Sequence, residues 1–436
     1  MIYYLLLALI VTLYIFLTFK RAKKYKYDQS NDYVYSLNKN LLLQAKLTDN
    51  TVLLTNNTED YDTLFLKIDI SYNPLSYFFK PTIEIENVKH YFEYGAKGIR
   101  YLNISHVKDK TLKLKMKHLI LSDTDISIYG YKNDMNMSDK ILILAPHADD
   151  AEIAAFGLYK TAQNVTIVTT TAGEHGHCNY CDIYDNNRTK NSLKKGELRV
   201  LDALTVPLLG NVDIRDSLTL GYFGGSLKWM SENHDKKASS LVSGINDINL
   251  FRKVSHANIK LPSHVEPLHS SFTNDLKEII EQIKPTIIIT PHPSIDSHPD
   301  HKYTTITLSH ALQETNHNCK LFLYTNHLEL SETYPIGKMN SAVTLPPSKK
   351  KFYFDSLYSF GLDKDLQIDK FFALESIHDL RDSLVFISIK KSLKHLNKMI
   401  KREVTGKDKS YYKRAVRANE LYFVVESGNI DKLMDI

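Results

Sequence analysis

The chain is poor in the features that mark disulfide-linked secreted proteins and nucleic-acid-binding proteins. It has 3 Cys in 436 residues, an odd and low number that argues against a secreted disulfide framework and indicates a reducing compartment. Its net charge is only +5, and solvated surface explains the short Lys-rich stretches KRAKKYK and SLKHLNKMIKR. The 27 Tyr and 18 Phe show no stacking motif for RNA. We therefore expect no nucleic-acid partner.

Two of the cysteines, Cys178 and Cys181, form the C-x-x-C of the stretch GEHGHCNYC. Such a pair can be a redox centre or half of a metal site, but no second C-x-x-C completes a structural zinc site and no redox-fold pattern surrounds it. We favour an accidental pair in a loop. A second metal site that also uses His175 and His177 stays open as an alternative.

Near its N-terminus the chain has a single long uncharged run, IYYLLLALIVTLYIFLTF. A run of about 18 apolar residues can cross a bilayer as a helix. Nothing basic precedes it and KRAKKYK follows it, so the positive-inside rule predicts an N-out anchor over residues 1–20 and a cytoplasmic body. The alternative is an uncleaved secretory signal with an exported body.

Length and composition predict two or three globular domains with a real core, since 43% of the residues are hydrophobic. From residue 30 to 135 apolar residues alternate with polar ones, as in TLFLKIDISY and TIEIENVKHYFEY. This period of two, broken by turn residues, predicts antiparallel strands in a small β-sandwich. Such a module can recognise glycans or serve as a spacer for the next domain.

Residues 138–436 show a different pattern, in which fully apolar strands such as ILILAP and PTIIITP alternate with helical segments. Strands without polar alternation indicate a parallel sheet covered on both faces. We therefore predict a Rossmann-like α/β domain of three α/β/α layers with a mostly parallel sheet. Residues 221–270 lack periodicity and are interpreted as a long excursion close to the active site.

Titratable side chains follow two of these apolar strands. His147, Asp149 and Asp150 come directly after ILILAP, and His298 and His301 follow PTIIITP through a short loop. Ligands of open α/β sheets bind beyond the carboxyl ends of parallel strands, so the two loops should share one edge. As an alternative, Asp149 or Asp150 can simply cap the helix that follows ILILAP.

The residue types at this edge match a catalytic zinc site with three protein ligands and one water. We predict His147, Asp150 and His301 as the ligands of one Zn²⁺. Asp149, pointing elsewhere, would be the general base for the water. His298 is predicted as the second catalytic group, held in one tautomer or kept protonated by Asp300.

The same stretches resemble a known family. PHADDAEIAAFG is similar to the HPDDAE signature of the LmbE/PIG-L family of zinc-dependent N-acetylglucosamine deacetylases, and DSHPDH is similar to its second motif. The likeness covers about residues 139–310 and includes TTTAGEHG and KKGELRVLDALTV. It implies the same ligands and the same base as the spacing does.

The resemblance also implies substrate-binding positions. Asp216, in the stretch RDS, would face the sugar hydroxyls, and Glu174 would line the crevice. Lys194 occupies a position where the family often has a substrate-binding Arg. Ala148 replaces the usual Pro and Phe156 replaces a small residue, so these departures bear on the substrate more than on the reaction.

The function expected from these features is removal of an N-acetyl group from an N-acetylated sugar. The predicted anchor suggests a glycolipid or a surface-polysaccharide precursor as the substrate. Two alternatives remain, another metal-dependent amidase or O-deacetylase, and a catalytically silent glycan-binding protein. Retention of Asp149 favours catalysis, because binding alone does not need a base.

Overall fold

The computed structural model describes residues 2–22, 25–37, 40–54, 56–176, 185–380 and 411–434, with a few further residues between 389 and 400. These residues form two compact units. The N-terminal unit consists of residues 1–132 and 330–352 with the described residues of 384–419, and the C-terminal unit takes the rest of the described chain. The pattern of the sequence had placed residues 330–352 in the second domain.

The first helix, α1, spans Ile2–Ala22, and its side chains are described over residues 2–16. Across the described part of the chain, no helix has both the length and the apolar character for a membrane span. The predicted localisation, a single-pass membrane protein anchored over residues 1–20 in an N-out orientation with a cytoplasmic body, is therefore wrong.

The predicted fold class is wrong as well, because it required that membrane-spanning helix. The described chain is a mixed α/β protein with several separate sheets.

The strands of the N-terminal unit are all antiparallel to their partners. They form a five-stranded sheet of order β1-β10-β3-β6 with β9 beside β3, a three-stranded sheet β5-β4-β8 and a two-stranded pair β2-β7. Their bounds are β1 Leu41–Lys46, β2 Thr51–Leu53, β3 Thr63–Tyr72, β4 Thr82–Ile85, β5 Val88–Tyr91, β6 Gly98–Asn103, β7 Thr111–Lys113, β8 Lys115–Lys117, β9 Leu119–Leu121 and β10 Asp125–Tyr131.

The core of this unit follows from the alternation in its strands. Successive side chains of a strand point to opposite faces, so the apolar positions of β3 and β4 share one side of their sheets. Leu66, Ile68 and Ile70 of β3 are buried in one cluster with Ile83 and Ile85 of β4. Burial of such side chains stabilises the fold by about 1.5–3 kcal/mol each.

The C-terminal unit is built on a seven-stranded sheet of order β13-β12-β11-β14-β15-β17-β16. Its first five strands are parallel, and β17 is antiparallel to β15. The bounds are β11 Lys140–Ala145, β12 Asn164–Thr171, β13 Ser217–Tyr222, β14 Ile287–Pro291, β15 Lys320–Tyr324, β16 Ser356–Gly361 and β17 Asn419–Glu426.

Helices connect the parallel strands. They are α2 Asp150–Thr161, α3 Arg188–Thr205, α4 Leu227–Glu232, α5 His269–Ile283, α6 Pro299–Thr315 and α7 Lys364–Ser376, followed by two short helices, Tyr411–Ala415 and Asp431–Met434. The apolar pattern of PTIIITP predicts a buried strand, and all five residues of β14 are buried.

A buried ion pair joins the last strand of the chain to α2 and α7. The carboxylate of Glu420 accepts the backbone N–H groups of Gly157 and Leu158 at 2.8 and 3.0 Å. It also accepts a hydrogen bond from Nζ of Lys370 at 2.7 Å, and the side chains of Glu420 and Lys370 are both almost fully buried. Removing the carboxylate would leave the ammonium and two amides without this partner.

We predict that Glu420→Ala lowers the free energy of unfolding by about 3–5 kcal/mol, because it leaves a buried charge uncompensated. Urea unfolding measures the change. The matched control is Glu426→Ala at an exposed position of the same strand, expected to cost no more than about 0.5 kcal/mol. Equal effects of the two substitutions would contradict a structural role for the buried pair.

Candidate functional site

Two neighbouring parallel strands bring the two motifs to one edge of the sheet. β11 pairs with β14 in the register Ile141 to Ile287, so their carboxyl ends lie side by side. The chain after β11 turns through His147 into α2, and the chain after β14 leads through His298 into α6. The adjacency that the sequence could only assume is thus present in the fold.

One carboxylate oxygen forms the centre of the site. Oδ2 of Asp150 lies 3.2 Å from Nδ1 of His147 and 3.1 Å from Nε2 of His301. The same oxygen accepts the backbone N–H of His147 at 2.9 Å, which fixes the turn between β11 and α2. The structure therefore brings together the three residues that the spacing singled out as metal ligands.

The imidazole of His301 has the environment expected of a metal ligand. It is completely buried, yet neither ring nitrogen makes a hydrogen bond of acceptable geometry within the described residues. A carboxylate oxygen lies 3.1 Å from each nitrogen, from Asp150 on one side and Asp296 on the other. A buried ring nitrogen without a hydrogen bond, facing a carboxylate, fits a cation between them, with Asp296 orienting the ring.

Carboxylates determine the charge of this cluster. Burial alone would lower the pKa of His147, but Asp150 and Asp300 outweigh it and raise the pKa to about 9. The same competition, with Asp150 and Asp296 prevailing over burial, raises the pKa of His301 well above its usual value. The centre of the cluster therefore favours positive charge, as a cation site requires.

Two overlapping groups of described residues have ligand atoms close enough to hold a metal ion. One consists of His147, His298 and His301, and the other of Asp150, His301 and His327. Their ligand atoms lie within 4.8 Å of one another in each group. His301 belongs to both, so an ion held by either group would contact it.

Sequence reasoning missed His327. It follows the parallel strand β15 by three residues, and its ring lies 5.1 Å from that of His301 and 5.6 Å from that of His298. The rule that located the other histidines, a titratable residue beyond the end of a parallel strand, applies equally to the stretch LFLYTNH.

The predicted base, Asp149, is held by an arginine. It occupies the position before α2 but makes no capping hydrogen bond with its side chain. Instead Oδ1 of Asp149 accepts a hydrogen bond from Nη2 of Arg199 at 2.9 Å, and Nη1 of Arg199 donates a hydrogen bond to Asp379 at 2.6 Å. All three side chains are largely buried. The capping alternative therefore does not explain Asp149.

The arginine reaches this position past a glycine. Gly173 follows β12 with φ of +59°, and a Cβ there would lie 2.5 Å from Nε of Arg199. Any other residue would thus clash with the guanidinium as well as strain the backbone. Arg199 lies in the segment KKGELRVLDALTV, whose likeness to the family was visible, but its contact with Asp149 was not.

The predicted link between His298 and Asp300 differs from what the structure shows. Nδ1 of His298 accepts the backbone N–H of Asp300 at 3.2 Å, as a helix cap, while the carboxylate of Asp300 lies 3.2 Å from Nε2 of His147. Burial, followed by the neighbouring His147 and His301, lowers the pKa of His298 to about 3. The carboxylate of Asp300 therefore faces His147 rather than His298, and Asp300 contacts His298 through its backbone N–H, which suits the alternative that it holds one tautomer.

Residues 142–312 match the family model described as PIG-L, GlcNAc-PI de-N-acetylase. The matched span includes both strand-end motifs. The chain contains a PIG-L family domain. The resemblance predicted from the two motifs is thereby confirmed. No curated protein sequence matches the chain.

Several solved structures are similar to the chain at low identity. A triple mutant of a deacetylase from teicoplanin biosynthesis is 17% identical, with 66% of this chain and 98% of that one covered and a TM-score of 0.34. The N,N'-diacetylchitobiose deacetylase of Pyrococcus horikoshii is 16% identical over 67% and 86%, with a TM-score of 0.30. A 4-carboxy-2-hydroxymuconate hydratase of Pseudomonas putida is 10% identical, with 66% of this chain and 95% of that one covered and a TM-score of 0.32. Similarities of this size carry no argument about function.

One of the three predicted substrate contacts lies at the same edge of the PIG-L domain as the His cluster. Glu174 follows β12, is almost fully buried, and accepts the backbone N–H of Gly224 at 2.8 Å. The next amide, that of Gly225, donates to Asp300 at 2.7 Å. The start of the excursion over residues 221–270 therefore lies beside the site.

The other two predicted contacts are not brought to the cluster. Asp216 precedes the parallel strand β13, so it lies at the amino end of the sheet, opposite the histidines, where Asn258 donates to it at 2.8 Å. Lys194 is half exposed and pairs with Glu197, whereas its neighbour Lys195 is buried. A likeness in sequence shows neither at which end of the sheet a residue such as Asp216 lies nor which face of a helix carries a residue such as Lys194.

The alternative second metal site used His175, His177, Cys178 and Cys181. Only His175 belongs to the described residues, and the other three lie outside them.

Asp296 organises the second loop, although sequence reasoning gave it no role. Its carboxylate accepts the backbone N–H groups of His298, Asn326 and His327 at 3.0 to 3.1 Å, besides facing His301. The signal was present, because Asp296 is the first residue of DSHPDH. It was missed since a positioning role shows only in the contacts.

We predict that Asp296→Asn weakens metal binding about 10–100-fold, because the orienting carboxylate of His301 is lost. Titration of Zn²⁺ into metal-free protein against a competing chelator measures this. Asp213→Asn serves as the control, since that carboxylate is exposed and pairs with Arg215. Equal affinities of the Asp296 variant and the unchanged protein would contradict the role of Asp296.

Proposed function

We propose that the PIG-L domain hydrolyses the acetamide group of an N-acetylated sugar with one Zn²⁺ held by His147, Asp150 and His301. The observation that carries the proposal is the pair of imidazoles, from two distant loops, within 3.2 Å of one carboxylate oxygen. Two histidines and one carboxylate are a ligand set typical of hydrolytic zinc.

When bound, such an ion lowers the pKa of its water towards about 7 and polarises a carbonyl oxygen. The remaining chemistry belongs to side chains of the chain itself. Asp149 takes the proton of the attacking water and passes it to the departing amine. Arg199 positions that carboxylate through the 2.9 Å hydrogen bond and offsets the cost of burying it.

His298 contributes as a neutral ring. Because its Nδ1 accepts a backbone N–H, the ring proton resides on Nε2. Its ring centroid lies 4.7 Å from that of His147, beside the proposed ligands. The Nε2–H group can therefore donate a hydrogen bond to the carbonyl oxygen as negative charge develops there, a contribution typically of a few kcal/mol per donor.

The class of substrate comes from the family. The model matched by residues 142–312 is described as a GlcNAc-PI de-N-acetylase, which supports an N-acetylated amino sugar. The narrower expectation of a glycolipid or a surface-polysaccharide precursor depended on the membrane anchor and loses that argument. A sugar with an accessible 2-acetamido group is the substrate that we propose.

Catalysis is favoured over a silent glycan-binding role by one contact. A protein that only binds sugars does not need a buried carboxylate beside a metal site, and burying one is costly. Here Asp149 is retained and supported by Arg199, which itself pairs with Asp379.

We predict that Asp149→Asn leaves about one metal ion bound per chain but lowers kcat about 10²–10⁴-fold, because the base is lost and the ligands are not. Acetate release from N-acetylated sugars, free and nucleotide- or lipid-linked, measures turnover, and elemental analysis measures the metal. Asp216→Asn at the opposite end of the sheet is the matched control and should keep full turnover.

Undiminished turnover of the Asp149 variant would contradict its role as base. Loss of metal from the same variant would show instead that Asp149 is a ligand. Release of acetate only from O-acetylated or non-sugar substrates would replace the proposed activity with that of an O-deacetylase or another amidase.

A further inference from the structure

A pocket of about 770 Å³ lies within the N-terminal unit, which the proposed reaction does not use. Its size falls in the range of about 300–1,000 Å³ typical of small-molecule sites. The cationic side chains of its lining are Lys80, Lys89, Lys117, Lys338, Arg414 and Arg417. No Asp or Glu belongs to that lining among the described residues.

The strand register concentrates part of this charge on one sheet face. Thr82 of β4 pairs with Tyr91 of β5 and with Lys117 of β8, and Lys89 is two residues before Tyr91. Because alternate residues of a strand share a face, Lys89, Tyr91 and Lys117 point to the same side. The opposite side carries Ile83, which is buried in the core.

Arg417 provides a buried cation on another wall of the pocket. It is 1% exposed, and its Nη atoms donate to backbone carbonyls and to the hydroxyl of Ser341. Its Nε has no hydrogen-bond partner within the described residues. Burial lowers the pKa of Arg417 to about 9, so the guanidinium still carries its charge at neutral pH. Among the residues that the structure describes, no carboxylate pairs with this buried guanidinium, and burying a charge without such a partner is costly. A bound anion would relieve that cost.

Aromatic rings complete the lining. Phe79 is 51% exposed although it is a large apolar residue, and its ring stacks on His118 at 5.1 Å. Tyr91 lies so close to Gly337 that a Cβ there would come within 2.7 Å of its ring. The exposed ring of Phe79 next to cationic groups suits a ligand with an apolar ring face and charged substituents.

Lys89, one of the cations of the lining, lies near an acidic side chain. Nζ of Lys89 lies 3.7 Å from Glu84, which also pairs with Lys115 at 3.3 Å. Both pairs are solvated, and such pairs contribute only about 0–1 kcal/mol. They do not neutralise the pocket as a whole.

We propose that this pocket binds an anionic saccharide, that is, sugar rings carrying carboxylate or phosphate groups. Cations lie both on the sheet face of β5 and β8 and in the segment Arg414–Arg417, so they can meet negative groups at more than one place on a ligand. The aromatic faces match the C–H faces of the sugar rings. The site is separate in sequence from the proposed metal ligands and does not depend on their activity.

Binding to the full chain can be measured calorimetrically with two anionic probes, tetragalacturonate and N-acetylglucosamine 1-phosphate, which distinguish carboxylate from phosphate. Neutral chitotetraose and inorganic phosphate test the ring and the anion alone. We expect at least one anionic probe to bind more tightly than chitotetraose and more tightly than inorganic phosphate. Its affinity should fall as NaCl rises from about 0.05 M to about 0.5 M, because salt screens exposed charges.

Variants locate the binding. The double variant Lys117→Ala/Lys338→Ala removes two exposed ammonium groups of the lining and should weaken binding about tenfold, a loss of about 1.4 kcal/mol. Phe79→Ala, also at an exposed position, should weaken it as well. The double variant Lys108→Ala/Lys113→Ala changes the net charge equally at exposed positions outside the lining and should bind as the unchanged chain does.

Three outcomes would overturn the proposal. They are no binding of either anionic probe, equal binding of chitotetraose or inorganic phosphate, and equal affinities of the two double variants. Deacetylase turnover is measured separately on the same variants. Because none of the substituted residues belongs to the proposed catalytic site, failure here and failure of the proposed reaction are distinguishable.

Discussion

A single carboxylate oxygen, Oδ2 of Asp150, connects two loops that are 151 residues apart in the sequence, counted from Asp150 to His301. It contacts His147 beside it and His301 from the second loop, and it accepts a backbone amide of its own turn. This arrangement exists because β11 and β14 are parallel neighbours whose carboxyl ends coincide. If the strands were separated, neither ligands nor base would face one substrate.

The surroundings hold this centre in place through further buried charges. Asp296 faces the far side of His301 and accepts three backbone amides, while Arg199 holds Asp149. Positions fixed by packing and by hydrogen bonds from rigid elements lose little free energy to reorganisation during a reaction. The same contacts explain why raised and lowered pKa values cluster at this sheet edge.

The sequence was informative where chemistry and local pattern coincide. Titratable residues directly after apolar strands located His147, Asp150 and His301, because strand ends are local features that the chain itself displays. It failed where the direction of a strand or the face of a helix determines whether a side chain lies near the site. Asp216 precedes its strand, and Lys194 lies on the outer side of its helix. Partners distant in sequence, such as Arg199 for Asp149, depend on tertiary contacts. The membrane helix was inferred from an uncharged run followed by basic residues, and no helix of the described residues has both the length and the apolar character for a membrane span.

The most direct test of this account is the location of a bound ion in crystals of the full chain grown with Zn²⁺, from anomalous scattering. The account predicts one strong peak at about 2.0–2.2 Å from a nitrogen of His147, a nitrogen of His301 and a carboxylate oxygen of Asp150. A peak bound elsewhere, or no peak at this sheet edge with zinc in excess, would contradict it.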